Sequence, residues 1–258
     1  MKISILASGS SGNCIYIENG ESSILVDAGL SGKETEKRLC SIGRNIKDIS
    51  AIIITHDHQD HVKGAGIISR RFRIPVMIDE SAYNAARETI GDIEDIAFFE
   101  AGSTIALGGL KITTIPSPHD AASHVCLFIE NGESCLGIFT DIGFVTEKIE
   151  SIFSSLDAAV LEFNHDTDML ENGPYPPHLK KRIRGDLGHL SNLQATNLVL
   201  NKMSDRLHTL FLAHLSEHNN TPSIAQKTLK YEARSHCRFS KVNLVMTSRF
   251  IPTPLTDV

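Results

Sequence analysis

Three histidines and two aspartates fall within six consecutive positions, His56-Asp57-His58-Gln59-Asp60-His61, just after the apolar run Ala51-Ile52-Ile53-Ile54. Imidazole nitrogen and carboxylate oxygen together make a donor set for zinc, iron or manganese. One histidine after a strand is ordinarily a cap or a core residue. A cluster this dense is not accounted for that way, because an unpaired buried charge is expensive and a solvated loop needs no such composition. The apolar run reads as a buried strand that delivers the cluster to a turn, where alternate side chains splay toward common points.

The same arrangement recurs along the chain. A strand over 110–115 runs into Pro116-Ser117-Pro118-His119-Asp120, one over 134–140 ends at Asp141, and one over 158–163 ends at Asn164-His165-Asp166. A fourth over 208–213 ends at His214, and Asp27 closes a strand over 23–26. Strands that finish on His or Asp are what loops at one edge of a sheet need to assemble a common site. Between them the pattern predicts helices over 33–42, 62–73, 81–89, 145–153, 191–203 and 222–231, with Ser191 as an N-cap and Pro222 opening the last. Gly108-Gly109 and Asn131-Gly132 read as hairpin turns, and the tail with Pro252 and Pro254 as a surface segment.

The chain has 258 residues and a formal charge of -6, which argues against a generally basic nucleic-acid-coating protein but leaves room for a local basic groove. Residues 1–258 are expected to form a single domain. Five cysteines without paired metal spacing suggest reduced thiols and a cytoplasmic home, with Cys14, Cys126 and Cys135 in the core. No long apolar run indicates a membrane partner, and no pattern specifies an oligomeric state. The loop Ser8-Gly9-Ser10-Ser11-Gly12-Asn13 is either a plain turn or an anion-facing loop, with Ser10 and Asn13 as substrate contacts. Residues 166–188 read as a long loop interrupted by a short helix, carrying Lys180, Lys181, Arg182 and Arg184. Those cations either stay solvated or bind phosphates, and the second reading gains if the site upstream handles a polynucleotide.

The 55–61 stretch resembles the HxHxDH signature of the metallo-beta-lactamase fold, and its order relative to His119, Asp141 and His214 matches that family. The resemblance implies an α/β, four-layer αββα fold, two mixed sheets between helical layers, with two divalent ions at one edge. Zinc or manganese is the expected metal, with iron as a further option. By the same resemblance, one ion takes His56, His58 and His119, the other takes Asp60, His61 and His214, and Asp141 bridges both. Asp27 then resembles the buried aspartate that orients a ligand, and Asp60 also counts among the catalytic residues.

Further stretches, Ala7-Ser8-Gly9-Ser10-Ser11-Gly12-Asn13, Pro118-His119-Asp120-Ala121, Thr140-Asp141-Ile142-Gly143, Glu162-Phe163-Asn164-His165-Asp166, Gly188-His189-Leu190-Ser191-Asn192 and His214-Leu215-Ser216, are similar to the YycJ/WalJ-like branch of that superfamily. That branch implies a two-metal phosphodiester hydrolase, a 5'-to-3' DNA exonuclease that uses a water between the metals. The alternatives are a hydrolase of a small cyclic phosphate or phosphonate diester and a nonenzymatic metal-stabilised binding module. His165 and His189 stand outside the ligand set: each either binds phosphate, protonates the leaving oxygen, supports a ligand or is structural. Asn164 and Ser191 are expected to orient them or to meet substrate.

Overall fold

The computed structural model describes residues 1–258. Its first half alternates β1 (Lys2–Ala7), β2 (Cys14–Glu18), β3 (Ser23–Val26), α1 (Gly32–Ser41), β4 (Ala51–Ile53), α2 (Gln59–Val62), α3 (Ala65–Phe72), β5 (Val76–Asp79), α4 (Glu80–Ile90) and β6 (Ile96–Phe99). The second half follows with β7 (Thr104–Leu107), β8 (Leu110–Pro116), β9 (Val125–Glu130), β10 (Cys135–Phe139), α5 (Glu147–Phe153), β11 (Ala158–Glu162), α6 (Thr167–Asn172) and α7 (Pro177–Ile183). It closes with α8 (Asn192–Lys202), β12 (Thr209–Ala213), α9 (Pro222–Glu232), β13 (Asn243–Met246) and β14 (Thr256–Asp257). The strands form two seven-stranded sheets, ordered β14-β1-β2-β3-β4-β5-β6 and β13-β12-β11-β10-β9-β8-β7.

Three apolar layers hold this stack together. Ile3, Ile17, Val26, Leu127, Val160 and Phe211 come from both sheets and fill the space between them. Leu39, Ile68, Ala82 and Ala86 of the first-half helices cover the outer face of the first sheet. Ile149, Phe153, Leu198 and Leu229 do the same for the second. Central strands such as β11 and β12 are buried along their whole length, as a sheet covered on both faces requires. The result is the α/β four-layer αββα sandwich, two mixed sheets between helical layers.

Strand direction decides where the polar strand ends gather. β3 and β4 run parallel, and so do β10, β11 and β12. β8 is antiparallel to β9, which is antiparallel to β10, so β8 points the same way as β10. Asp27, His56, His119, Asp141 and His214 therefore leave their sheets at one common edge. Three of them bend sharply: Asp27, Asp141 and His214 adopt φ of 61°, 59° and 53°. Left-handed backbone is uncommon outside glycine, and it clusters where surrounding structure enforces it for function.

Three expectations need correction and one gains detail. The helix over 62–73 is split into α2 and α3, because the Gly64 N–H turns aside to donate to the Ala28 carbonyl at 2.6 Å. Residues 166–188 are no long loop but the helix pair α6 and α7, the first capped by Asp166 accepting from Met169 N and the second opened by Pro177. The tail stays at the surface as expected, and it is tied down there: β14 pairs with β1, and buried Thr253 accepts from Ile5 N and from Ser4 Oγ. Cys14 and Cys126 are buried, but Cys135 is only half-buried at the start of β10. No helix is long and apolar enough to cross a membrane.

Candidate metal centre

The site is built from two triads with a carboxylate between them. Ligand-type atoms of His56, His58 and His119 lie within 4.8 Å of one another, and so do those of Asp60, His61 and His214. Asp141 Oδ1 is 3.9 Å from His119 Nε2 and 3.4 Å from His214 Nε2, and its Oδ2 is 3.4 Å from His61 Nε2. His56 Nε2, Asp141 Oδ2 and His214 Nε2 are buried without hydrogen-bond partners. Orphaned buried polar atoms are rare in proteins, and nitrogen and oxygen donors converging this way suit divalent cations. The clusters are fit to hold one or two such ions.

Charge is distributed to match. Burial pushes His56 well below the usual imidazole range, helped by neighbouring His61, and it lowers His119 as well, so both stay neutral. Burial opposes charge on His61, yet Asp27, Asp141 and Asp60 outweigh it and raise the ring to about 10. His214 is likewise raised to about 9 by Asp141 and Asp60 against its burial. Burial would raise Asp141, but the charged rings of His214 and His61 hold its carboxyl well below the usual range. Protons on His61 and His214 thus stand in for positive charge that a cation displaces on binding.

Two buried carboxylates fix the donors. Asp27 accepts from Thr55 N at 2.8 Å, from Thr55 Oγ1 at 3.0 Å and faces His61 Nδ1 at 2.8 Å, aiming the far ring nitrogen at Asp60 and Asp141. Such a partner fixes the tautomer and orientation of a ligating histidine. Glu162, fully buried at the end of β11, does the equivalent work in the second sheet. It accepts from the backbone N–H of Asp141, of Ile142 at 3.2 Å and of Leu190 at 3.0 Å, and lies 3.1 Å from His189 Nδ1.

His189 reaches the site because residues 190–192 pair with the extension of β11: Asn164 N donates to Leu190 O and Asn192 N to His165 O. Burial disfavours its charge, but Glu162 raises it, and its Nδ1 is 3.7 Å from Asp141 Oδ1. His165 is a different case: its ring is buried, lowered to about 4, and its Nδ1 has no partner. Asp57 points away, accepting from Ala122 N.

Several expected substrate contacts have other work. Asn13 is buried, and its Nδ2 donates to Asp60 Oδ2 at 3.1 Å and lies 2.9 Å from His61 Nε2, so it braces the donors instead of facing the cleft. Ser191 is consumed by a capping box with Gln194 at the start of α8. Asn164 donates to the His214 carbonyl at 3.1 Å, though it also lines the cleft. Lys180 donates to the Glu171 carbonyl and Arg184 pairs with the Glu171 carboxylate, both between α6 and α7 and away from the donors. Lys181 is exposed. Arg182 alone of the basic run reaches the cleft, with its Nε donating to Asp120 Oδ2. The cleft has a volume of about 250 Å³ and is also lined by Ser10, Tyr175, Leu179 and Ile183.

Sequence reasoning missed Glu162 and His124. Glu162 ends a wholly buried strand, where an unpaired carboxylate is untenable, and that was the available signal. His124 packs its ring 5.0 Å from that of His56 and 5.3 Å from that of His119.

The fold and these clusters define a metal-dependent hydrolase with candidate sites for two metals. The chain belongs to the metallo-beta-lactamase superfamily, whose model matches residues 7–165. It is 36% identical over 231 residues to the exodeoxyribonuclease YycJ of Bacillus anthracis, covering 89% of this chain and 88% of that one. It is 35% identical over 264 residues to the exodeoxyribonuclease WalJ of Streptococcus pneumoniae, covering 100% of this chain and 98% of the relative. Among solved structures, the metallo-beta-lactamase fold protein YhfI from Bacillus subtilis superposes with a TM-score of 0.72 at 14% identity, covering 98% of both chains, and shares the fold.

Proposed function

We propose that the chain is a 5'-to-3' exonuclease acting on DNA, hydrolysing the phosphodiester next to the strand end. The observation that carries this reading is near-full-length similarity to two proteins named exodeoxyribonucleases, 89% and 100% of this chain being covered. In this reading His56, His58 and His119 would hold one zinc or manganese ion and Asp60, His61 and His214 the other, with Asp141 between the two triads. When bound, the two ions supply Lewis acidity that acidifies water and offsets charge gathering on the phosphoryl oxygens.

The chain's own groups do the rest. Asp60 Oδ2, fixed by the Asn13 amide, takes the proton of the attacking water. His189, held on Glu162 and at the cleft wall, donates a proton to the oxygen leaving phosphorus. Arg182 offers its guanidinium to the phosphate once that anion competes with Asp120, and Ser10 adds a hydroxyl at the rim. Tyr175 and Leu179 give the terminal base an apolar wall. Lys181, exposed on α7, extends the positive charge toward the rest of the strand.

The test is cleavage of end-labelled single- and double-stranded DNA and RNA with manganese or zinc added, with the His58→Ala protein alongside. Stepwise shortening of DNA from the 5' end, lost in folded His58→Ala, is expected. Preference for a small cyclic diester over every polymer would overturn the assignment, as would full activity in His58→Ala.

A further inference from the structure

His124 stands directly ahead of β9, whose first residue, Val125, donates its N–H to the Thr55 carbonyl at 3.1 Å. That contact lays the His124 side chain beside His56. The His124 residue is only 6% exposed, and neither ring nitrogen has a hydrogen-bond partner. An imidazole with both nitrogens stranded in the interior has given up its hydration for nothing. The same deficit marks two neighbours, His56 Nε2 and Asp141 Oδ2. Ligand-type atoms of His56, His124 and Asp141 lie within 4.8 Å of one another, and all three residues are buried.

We infer that His56, His124 and Asp141 form an inner position for a divalent cation, set behind the mouth that His56 forms with His58 and His119. Two imidazole nitrogens and a carboxylate oxygen suit zinc or manganese. The mouth differs because His58 is half-buried there, whereas His56, His124 and Asp141 are all buried. His56 would serve both positions, so a cation held at the inner one would give up His58 and His119. This inference rests on the chain binding metal but not on which ester it cleaves.

Cobalt(II) alone, added to the metal-stripped full-length protein, tests it without any nucleic acid. In His124→Cys, a thiolate at the inner position gives an intense sulfur-to-cobalt charge-transfer band that the wild-type chain, with buried Cys126 nearby, lacks. The band is expected to persist when His58→Ala is combined with His124→Cys, because the mouth is not needed. Its absence from folded His124→Cys, or its loss in the combined variant, would overturn the inner position. Should His124→Cys not fold, His124→Asn provides the second arm: its cobalt affinity is expected to fall by about tenfold or more. Unchanged cobalt affinity in folded His124→Asn would sink the inference. A failure of DNA cleavage leaves each of these readings intact.

Discussion

The two sheets bring donors to the same edge by different means. In the first, one turn after β4 carries His56, His58, Asp60 and His61, and one carboxylate, Asp27, fixes it through Thr55 and His61. In the second, His119, Asp141, His189 and His214 come from four separate segments, and Glu162 ties two of them through the backbone N–H groups of Asp141, Ile142 and Leu190. A local turn needs one clamp because its covalent geometry already sets the spacing. A site drawn from distant segments needs a hub, and the hub must replace what chain connectivity does not provide.

Removing the two clamps should therefore have unequal costs. Glu162→Ala strands three buried backbone donors, at about 1–3 kcal/mol each, so a loss of about 3 kcal/mol or more is expected. Asp27→Ala strands the Thr55 N–H and one ring nitrogen while the Thr55 hydroxyl can turn elsewhere, for an expected loss of about 2–4 kcal/mol. Both should weaken metal binding by about 10- to 100-fold, since each orients a donor from behind. Denaturant unfolding of the metal-loaded proteins and metal titration check this. A larger penalty for Asp27→Ala would reverse the contrast between turn and hub.

That contrast also explains what could be read in the sequence. Spacing within 56–61 survives folding unchanged, so the turn was legible as chemistry, and the polar ends of β8, β10 and β12 were legible as strand ends. Glu162 was not, because its partners at 141, 142 and 190 are remote in sequence and engage it through backbone atoms that any residue possesses. The contacts of Asn13 were hidden for a related reason: a Gly/Ser loop announces its flexibility, but which way its one amide points depends on Asp60 and His61. The charge run at 180–184 likewise hid that Glu171, one helix earlier, engages two of its members. The left-handed turns at Asp27, Asp141 and His214 have no glycine to advertise them.

Each half also has a glycine beside the donors where backbone lies against backbone, and these two are the next points to press. A methyl group on Gly29 would sit 1.6 Å from the Asp60 carbonyl oxygen, where Asn13 N now donates at 2.7 Å. One on Gly143 would sit 1.9 Å from the Asp186 carbonyl oxygen, in the segment whose Leu187 and Gly188 carbonyls face Asp120 N and His119 Nδ1. Both alanine variants force backbone to shift, with an expected cost of about 1–3 kcal/mol. Their effects should part at the site: Gly29→Ala weakens binding at Asp60 and His61, whereas Gly143→Ala acts on His119 and His189. Metal titration should then show each variant losing a different one of two binding steps. Loss of the same step in both would mean that the halves do not act separately.

The smallest effects lie at the opposite edge, where each sheet carries one arginine–carboxylate fork. Arg44 donates to both oxygens of Glu18, at 2.7 and 2.5 Å, and Tyr16 adds its hydroxyl at 2.6 Å. Arg206 donates to both oxygens of Asp157 at 2.8 and 2.6 Å, with its own side chain 55% exposed against 31% for Arg44. The Arg44 guanidinium holds the Glu18 carboxyl below its ordinary value of 4.5, against partial desolvation and with help from Tyr16. A carboxyl depressed on folding binds its proton less readily in the native chain than in the unfolded one, so its stabilisation is complete above pH 4.5 and fades as pH falls through the lower native value. Arg44→Ala should cost about 0.5–1 kcal/mol near neutrality. The gap from wild type should close as unfolding is measured toward pH 3. Arg206→Ala should show the lesser loss at neutral pH, because solvent screens its fork more. An Arg44→Ala deficit that widens in acid would show that Arg44 acts through packing of its stem against the sheet edge, and that the two forks differ in kind as well as in exposure.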